Sequence, residues 1–260
     1  MSRKAVVFVA ELSYMEKLEI AIKSLCAHHR HLKIYVLNEN IPTEWFQLMN
    51  HRLATIDSEI LNCRVAAESF KQFSLPSSHL HYATFFRYCI PELVEEDRVL
   101  YLDCDMIVTK SLSDLFEVDL DGCGLGAVED RPTTREGFNA GLLVLDLAWW
   151  RDHQTTQALF DLTKEHHQHV YGDQGILNHY FKDAWLRLPL TYNLQVGSDK
   201  DQHQYGDLAL YDEFPGLPAV IHYTSHNKPW TANRFNHFRE IWWFYYALSW
   251  EDALFHLGKM

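Results

Sequence analysis

Asp103 and Asp105 stand two residues apart in the run Arg98 to Val108, RVLYLDCDMIV, where an apolar stretch gives out. Side chains at i and i+2 of a strand leave on the same face, so this spacing predicts two carboxylates facing one small volume at a strand's open end. Hard oxygen ligands of that kind suit Mg²⁺ or Mn²⁺, ions that keep open positions for phosphate oxygens. The plain alternative is a pair of acidic residues that merely ends a strand. Three further segments hold polar groups that would have to converge on the same point. Phe138 to Leu147, FNAGLLVLDL, offers an amide and a small-residue pair before an apolar run. Tyr171 to Asn178, YGDQGILN, sets Asp173 and Gln174 in a polar turn entering a helix, and Ile221 to Trp230, IHYTSHNKPW, sets His222 and Lys228 in a Pro-terminated loop.

Positioning these groups falls to elements of alternating type. Ala5 to Ala10 and Leu32 to Leu37 read as strands around a helix from Tyr14 to His28, whose Leu18, Ile22 and Leu25 recur at helical spacing. A helical stretch near Glu44 to Leu53 follows, and this β-α-β opening is how a nucleotide-binding parallel sheet begins. Leu80 to Leu93 reads as a helix interrupted near Pro91, ahead of the strand Arg98 to Leu102. Gly124 to Val128 and Gly141 to Leu147 read as strands, and Trp149 to His167 and Gly175 to Phe181 as helices. The pattern predicts an α/β fold with its site at the carboxyl ends of the strands. No repeat or Gly/Ser-rich linker divides residues 1–260, which read as one domain with an aromatic-rich helix at about 235–256.

At 47% hydrophobic over 260 residues, the chain has enough apolar surface for a full core. Its formal charge of −12 argues against nucleic acid, because phosphate backbones need a basic footprint. Five cysteines without CxxC spacing suggest neither a disulfide framework nor a zinc knuckle, and a reducing cytoplasm fits that usage. The apolar run VVFVA is too short for a leader's core or a membrane span. Histidine runs around His28, His29 and His31, and around His166, His167 and His169, read as solvated helix faces.

The four motifs, in this order, resemble those of the family-8 glycosyltransferases, the retaining group that includes bacterial lipopolysaccharide galactosyltransferases and glycogenin. The resemblance runs from Val6 to about Trp230 and implies a GT-A fold, a mixed, mainly parallel nucleotide-binding sheet flanked by helices. It implies a metal-dependent hexosyltransferase that moves galactose or glucose from a UDP-sugar to a saccharide, lipid-linked glycan or glycoprotein in bacterial surface-glycan synthesis. Such an enzyme would work in the cytoplasm or on the inner face of the membrane. Two alternatives remain: a glycogenin-like self-glucosylating protein, with Tyr245 and Tyr246 as acceptor candidates, and a UDP-sugar-binding scaffold without turnover.

The resemblance also assigns residues. His222 matches the third metal ligand beside Asp103 and Asp105, and two carboxylates with one imidazole suit Mn²⁺ better than Mg²⁺. Lys228 matches a diphosphate contact, as does His79, and Ser225 stands where a glycine usually brings a backbone N–H to phosphate. On the nucleoside side, Ala10, Glu11, Ser13 and Tyr14 replace the usual A-D-x-N-Y pattern: Glu11 would accept the uracil N3–H and Tyr14 would stack on the base. Cys104 projects away from the carboxylates and would contribute its backbone. Arg87 matches an arginine that reaches donor hydroxyls, although a lone arginine on an aromatic helix is also a stem packed on the core with its head in water. Asp130, Asn139, Ala140, Asp173 and Gln174 would ring the hexose, with Gln174 nearest the anomeric carbon. A carboxamide is a poor nucleophile, which favours same-face displacement; double displacement would need Asp130 or Asp173 as nucleophile. The eight residues between Asp130 and Asn139 are fewer than in lipopolysaccharide-type relatives, implying a more open acceptor cleft. The aromatic run Phe238 to Phe255 reads either as a core-packed helix or as an interface for a membrane, a partner protein or a second domain.

Overall fold

A computed structural model describes residues 3–73, 81–130, 137–166, 172–182, 184–196, 216–224, 226–232 and 237–255. His79 and Ser225 lie outside the described residues, as do 131–136 of the Asp130–Asn139 connection.

β-Branched and aliphatic runs form the sheet's central strands. β1 (Lys4–Val9), β2 (Leu32–Asn38), β3 (Glu59–Arg64) and β4 (Arg98–Leu102) run parallel. β7 (Phe138–Asp146) lies antiparallel between β4 and β6 (Leu125–Glu129), and β8 (Leu186–Arg187) closes the far edge in the order β3-β2-β1-β4-β7-β6-β8. The alternation of elements predicts an α/β fold, and this is the mixed, mainly parallel sheet that the family resemblance implies. Because successive side chains point to opposite faces, Val6 and Phe8 pack beneath α1 (Met15–His28) and α2 (Thr43–Leu53), whereas Ala5 and Val7 join the opposite layer. That second layer holds the 3-10 helix Tyr82–Cys89, α3 (Ile90–Leu93), α5 (Leu147–Asp152), α6 (Thr155–His166) and α7 (Gly172–Phe181), while the short α4 (Ser113–Glu117) lies in the first. Each fully buried aliphatic side chain in these layers is worth ~1.5–3 kcal/mol.

A second, three-stranded sheet was not expected from the sequence. β10 (Val220–His222) pairs antiparallel with β5 (Met106–Val108) and parallel with β9 (Leu194–Gln195). Its Ile107, Leu194, Ile221 and Tyr223 pack against Trp242 and Tyr245 of α8 (Arg239–Ala247).

Several boundaries differ from expectation. The helix expected over Trp149–His167 is two, α5 and α6, because Gln154 takes a left-handed φ of 51° between them. The aromatic C-terminal helix likewise divides into α8 and α9 (Trp250–Phe255), with Leu248 extended between them. Pro91 does not interrupt a helix: a 3-10 stretch runs into α3, where Pro91 sits in the first turn and its missing N–H costs nothing. His28 and His29 are not solvated. His29 turns inward after α1, is only 5% exposed and accepts the Leu112 N–H, while His28 Nε2 meets the Tyr245 hydroxyl at 3.1 Å. Burial, reinforced by Lys4, holds the His29 imidazole down at about 4. Among the described residues no helix is long and apolar enough to cross a membrane.

Candidate active site

Strand order reverses between β1 and β4, and the chain leaving the carboxyl end of each enters the same crevice. From β1 come Ala10 and Glu11; from β4 comes Asp103. The two aspartates do not occupy one strand, contrary to the spacing argument. The Asp103 N–H donates to the Gly141 carbonyl at 2.8 Å, the chain turns through Cys104 and Asp105, and β5 departs into the small sheet. The carboxylates converge because that turn brings them together, and β10 then delivers His222 opposite Met106, beside Asp105.

One ligand atom from each of Asp103, Asp105 and His222 lies within 4.8 Å of the others. His222 Nε2 is 3.3 Å from Asp105 Oδ1 and 3.9 Å from Asp103 Oδ2. Asp103 Oδ1 is already engaged, accepting from the Tyr101 hydroxyl at 2.5 Å and from Arg87 at 3.2 Å. Asp105 Oδ2 accepts from Lys228 at 2.5 Å, but no described residue donates a hydrogen bond to the buried Asp105 Oδ1. A buried carboxylate oxygen without a donor is costly, so this set fits a divalent cation: Asp103, Asp105 and His222 can hold one. Burial pushes the Asp103 carboxyl upward despite Arg87. Burial alone would do the same to Asp105, yet Lys228 and His222 together outweigh it and hold that carboxyl well below the usual carboxylate range. Cys104 turns its Sγ to the Val9 carbonyl, 3.2 Å away, as its intermediate position requires.

The residues expected around the hexose converge through an irregularity in β7. Ala127 pairs with Leu143 but Val128 with Asn139, so Ala140 and Gly141 are released from the β6 ladder. Their backbone groups serve the site instead: the Ala140 N–H donates to Gln174 Oε1 at 3.0 Å, and the Ala140 carbonyl accepts from Arg87 at 2.7 Å. Gly141 must lack a Cβ, which would strike the His222 ring and Met106. Gln174, in the first turn of α7, donates through Nε2 to Asp130 at 3.1 Å. Asn139 Nδ2 reaches the other Asp130 oxygen at 3.5 Å. Asp173 accepts from the Thr84 hydroxyl and pairs with Arg87 Nε at 2.8 Å. Arg87 is not a surface stem with its head in water: it is 5% exposed, over the Tyr101 ring, and ties Asp103, Asp173 and Ala140 together.

A cavity of about 340 Å³, lined by Ala10, Glu11, Ser13, Asn40, His81 and Tyr82, opens beside a second that Tyr14, Arg87, Asp103 and Asp105 line. The two share Ala10, Glu11, His81 and Ala83. Glu11 accepts from the Ser13 hydroxyl at 2.5 Å and lies 3.3 Å from His81 Nε2. Tyr14 meets Trp230 edge-on at 6.3 Å, and burial with the nearby Asp105 pushes its hydroxyl up to about 12. Sequence reasoning overlooked Tyr101, His81 and Asn193. Tyr101 is legible as the residue two before Asp103 on β4, whereas nothing local marks His81 or Asn193.

The fold, a mixed and mainly parallel sheet flanked by helices, is of the GT-A class. The profile of glycosyl transferase family 8 matches residues 5–234, and the chain belongs to that family. Glycosyltransferase GlyB of Streptococcus pneumoniae serotype 4 is 48% identical over 262 residues, which cover 98% of this chain and 64% of that protein. The crystal structure of glycosyltransferase GlyE from Streptococcus pneumoniae TIGR4 superimposes with a TM-score of 0.88 at 39% identity, over 98% of this chain and 62% of that one. The galactosyltransferase LgtC, solved in complex with donor and acceptor sugar analogues, gives a TM-score of 0.80 at 27% identity over 93% of this chain and 95% of that one. The chain therefore spans less than two thirds of these pneumococcal relatives.

Proposed function

We propose that residues 1–260 act as one GT-A domain, a retaining, metal-dependent hexosyltransferase that moves galactose or glucose from a UDP-sugar to a saccharide or glycoprotein acceptor in bacterial surface-glycan synthesis. The observation that carries this reading is the set of ligand atoms of Asp103, Asp105 and His222 beside the Glu11 and Tyr14 cavities. Glu11 accepts the uracil N3–H, with its carboxylate aimed by Ser13 and His81, and Tyr14 packs on the base. Asp103, Asp105 and His222 would hold a Mn²⁺, which when bound would supply positive charge to the diphosphate leaving group. Lys228 exchanges its bond to Asp105 for a phosphate oxygen, a move that its flexible stem allows.

Asp130, Asn139 and Asp173 receive the donor hydroxyls, and Arg87 fixes the last of these carboxylates. Gln174 is held at both ends of its carboxamide, so its carbonyl dipole is preorganised for positive charge at the anomeric carbon. The acceptor hydroxyl attacks from the face that the diphosphate leaves, and its proton passes to the departing phosphate oxygen. Self-glucosylation at Tyr245 gains no support, because that side chain is 3% exposed with its hydroxyl on His28.

The test is a panel of sugar nucleotides with Mn²⁺, scored for UDP release with and without acceptor sugars. UDP-galactose or UDP-glucose should be turned over, and Asp103→Asn or Asp105→Asn should abolish transfer while leaving the melting temperature near wild type. Wild-type turnover by either variant, with unaltered Mn²⁺ dependence, would sink the assignment.

A further inference from the structure

Asn193 is fully buried between the small sheet and β7, yet none of the chemistry above uses it. Its carboxamide contacts two polar side chains. Asn193 Oδ1 lies 2.9 Å from His222 Nδ1, and Asn193 Nδ2 donates to Asn139 Oδ1 at 2.9 Å. We propose that Asn193 is a positioning residue that fixes His222 as the Nδ1–H tautomer and so turns the bare Nε2 toward Asp103 and Asp105. The inference rests on the metal-site reading above.

Asparagine oxygens and nitrogens and imidazole tautomers are interchangeable in outline, so each must be deduced from a partner whose role is unambiguous. Here that partner is a backbone group. The Gly141 N–H, free of the β6 ladder because of the β7 irregularity, donates to the Asn139 side chain at 3.0 Å. A backbone N–H can only donate, so the atom facing it is the Asn139 oxygen. That same oxygen also meets Asn193, which must therefore present its NH₂. The remaining Asn193 atom is the carbonyl oxygen, an acceptor, and it faces His222 Nδ1. Nδ1 must carry the proton. Neutral imidazole has one N–H, so Nε2 keeps its lone pair, and it is Nε2 that stands 3.3 Å from the orphaned Asp105 Oδ1. Outer-shell partners that fix a ligand's tautomer and ring angle in this way commonly change metal affinity by about 10–100-fold when removed. This chain of hydrogen bonds is also shielded: Asn139 is 7% exposed and His222 4%, so water cannot readily take over from Asn193.

Long-range ¹H–¹⁵N correlation spectra of the metal-free protein report the tautomer directly, with the His222 signals assigned by their loss in His222→Gln. Wild type should show Nδ1–H. Asn193→Leu, similar in size but unable to accept, should populate Nε2–H and weaken Mn²⁺ binding, measured by calorimetry, by roughly 10–100-fold. Asn193→Asp keeps an acceptor on Nδ1, and should keep the Nδ1–H signal even if Asn193→Leu fails to fold. An Nε2–H signal in wild type overturns the proposal, as does a folded Asn193→Leu chain that binds Mn²⁺ within twofold of wild type. Failure of the metal reading looks different: wild type would take up no Mn²⁺ at all, or His222→Gln would leave its binding unchanged.

Discussion

Gln174 spends both ends of its carboxamide on the protein itself, on the Ala140 N–H and on Asp130, and so cannot swing to follow a substrate. If its role is to face positive charge at the anomeric carbon, Gln174→Ala should lower kcat by about 10²–10³-fold while UDP affinity stays within a few-fold, because the contact strengthens in the transition state. A matched loss of UDP affinity in calorimetry would place the side chain in nucleotide binding instead. Glu11 permits a second test. Glu11→Gln sets an NH₂ where an acceptor is needed by Ser13, His81 and the uracil N3–H, so UDP affinity should fall by about 1–3 kcal/mol. Unchanged affinity would mean that the base lies elsewhere. At this scale the sequence was legible in types more than in partners. Asp103 and Asp105 announce themselves by spacing, whereas the roles expected of His222, Gln174 and Arg87 came from resemblance. Asn193 and the Arg87 ties to Asp173 and Ala140 arise from long-range contacts that no local pattern encodes.

Among the elements, β7 does most to assemble the site, through the residues it fails to pair with β6. Gly141→Ala tests this. The added Cβ would meet the His222 ring and the Met106 side chain, both hemmed in by the small sheet, so we expect a loss of about 1–3 kcal/mol in denaturant unfolding together with weakened Mn²⁺ binding. Unchanged stability and binding would show that β10 can shift to accommodate the methyl. β1, β2 and β4 were readable because each holds at least four consecutive buried apolar residues. β5, β9 and β10 have three, two and three residues, too few to display a period, and β10 pairs with β5 from over a hundred residues away. The division between α5 and α6 falls at Gln154, whose left-handed backbone has neither glycine nor proline to signal it.

Across the whole molecule, the aromatic C-terminal segment is packed into the core on one side, as one of its two readings expects, and exposed on the other. Trp242 and Tyr245 are buried in the layer over the small sheet, and Lys23 from α1 caps α8 by donating to the Tyr245 and Leu248 carbonyls. Trp243, Phe244 and Tyr246 face outward at 39–44% exposure, which the sequence could not apportion because every position from Ile241 to Leu248 is apolar or aromatic. The residues proposed to hold the donor are set on strand ends and helix starts. The β6–β7 hairpin differs. The Asp130 N–H donates to the Gly137 carbonyl at 3.0 Å, and Asn178 clamps both backbone polar groups of Phe138, so the two rims of the six-residue connection are fastened together independently of what joins them. That arrangement makes the connection an exchangeable cassette. Doubling its length with glycine and serine should cost only about 0.6 kcal/mol in thermal or urea unfolding, the entropy of closing a longer loop, and should leave donor hydrolysis within a few-fold of wild type. Collapse of hydrolysis in a stably folded variant would show that the insert itself completes the donor site. Under the proposed transferase reading, a hairpin fastened at its own rims would let acceptor preference diverge from one descendant enzyme to the next while the donor chemistry is inherited unchanged.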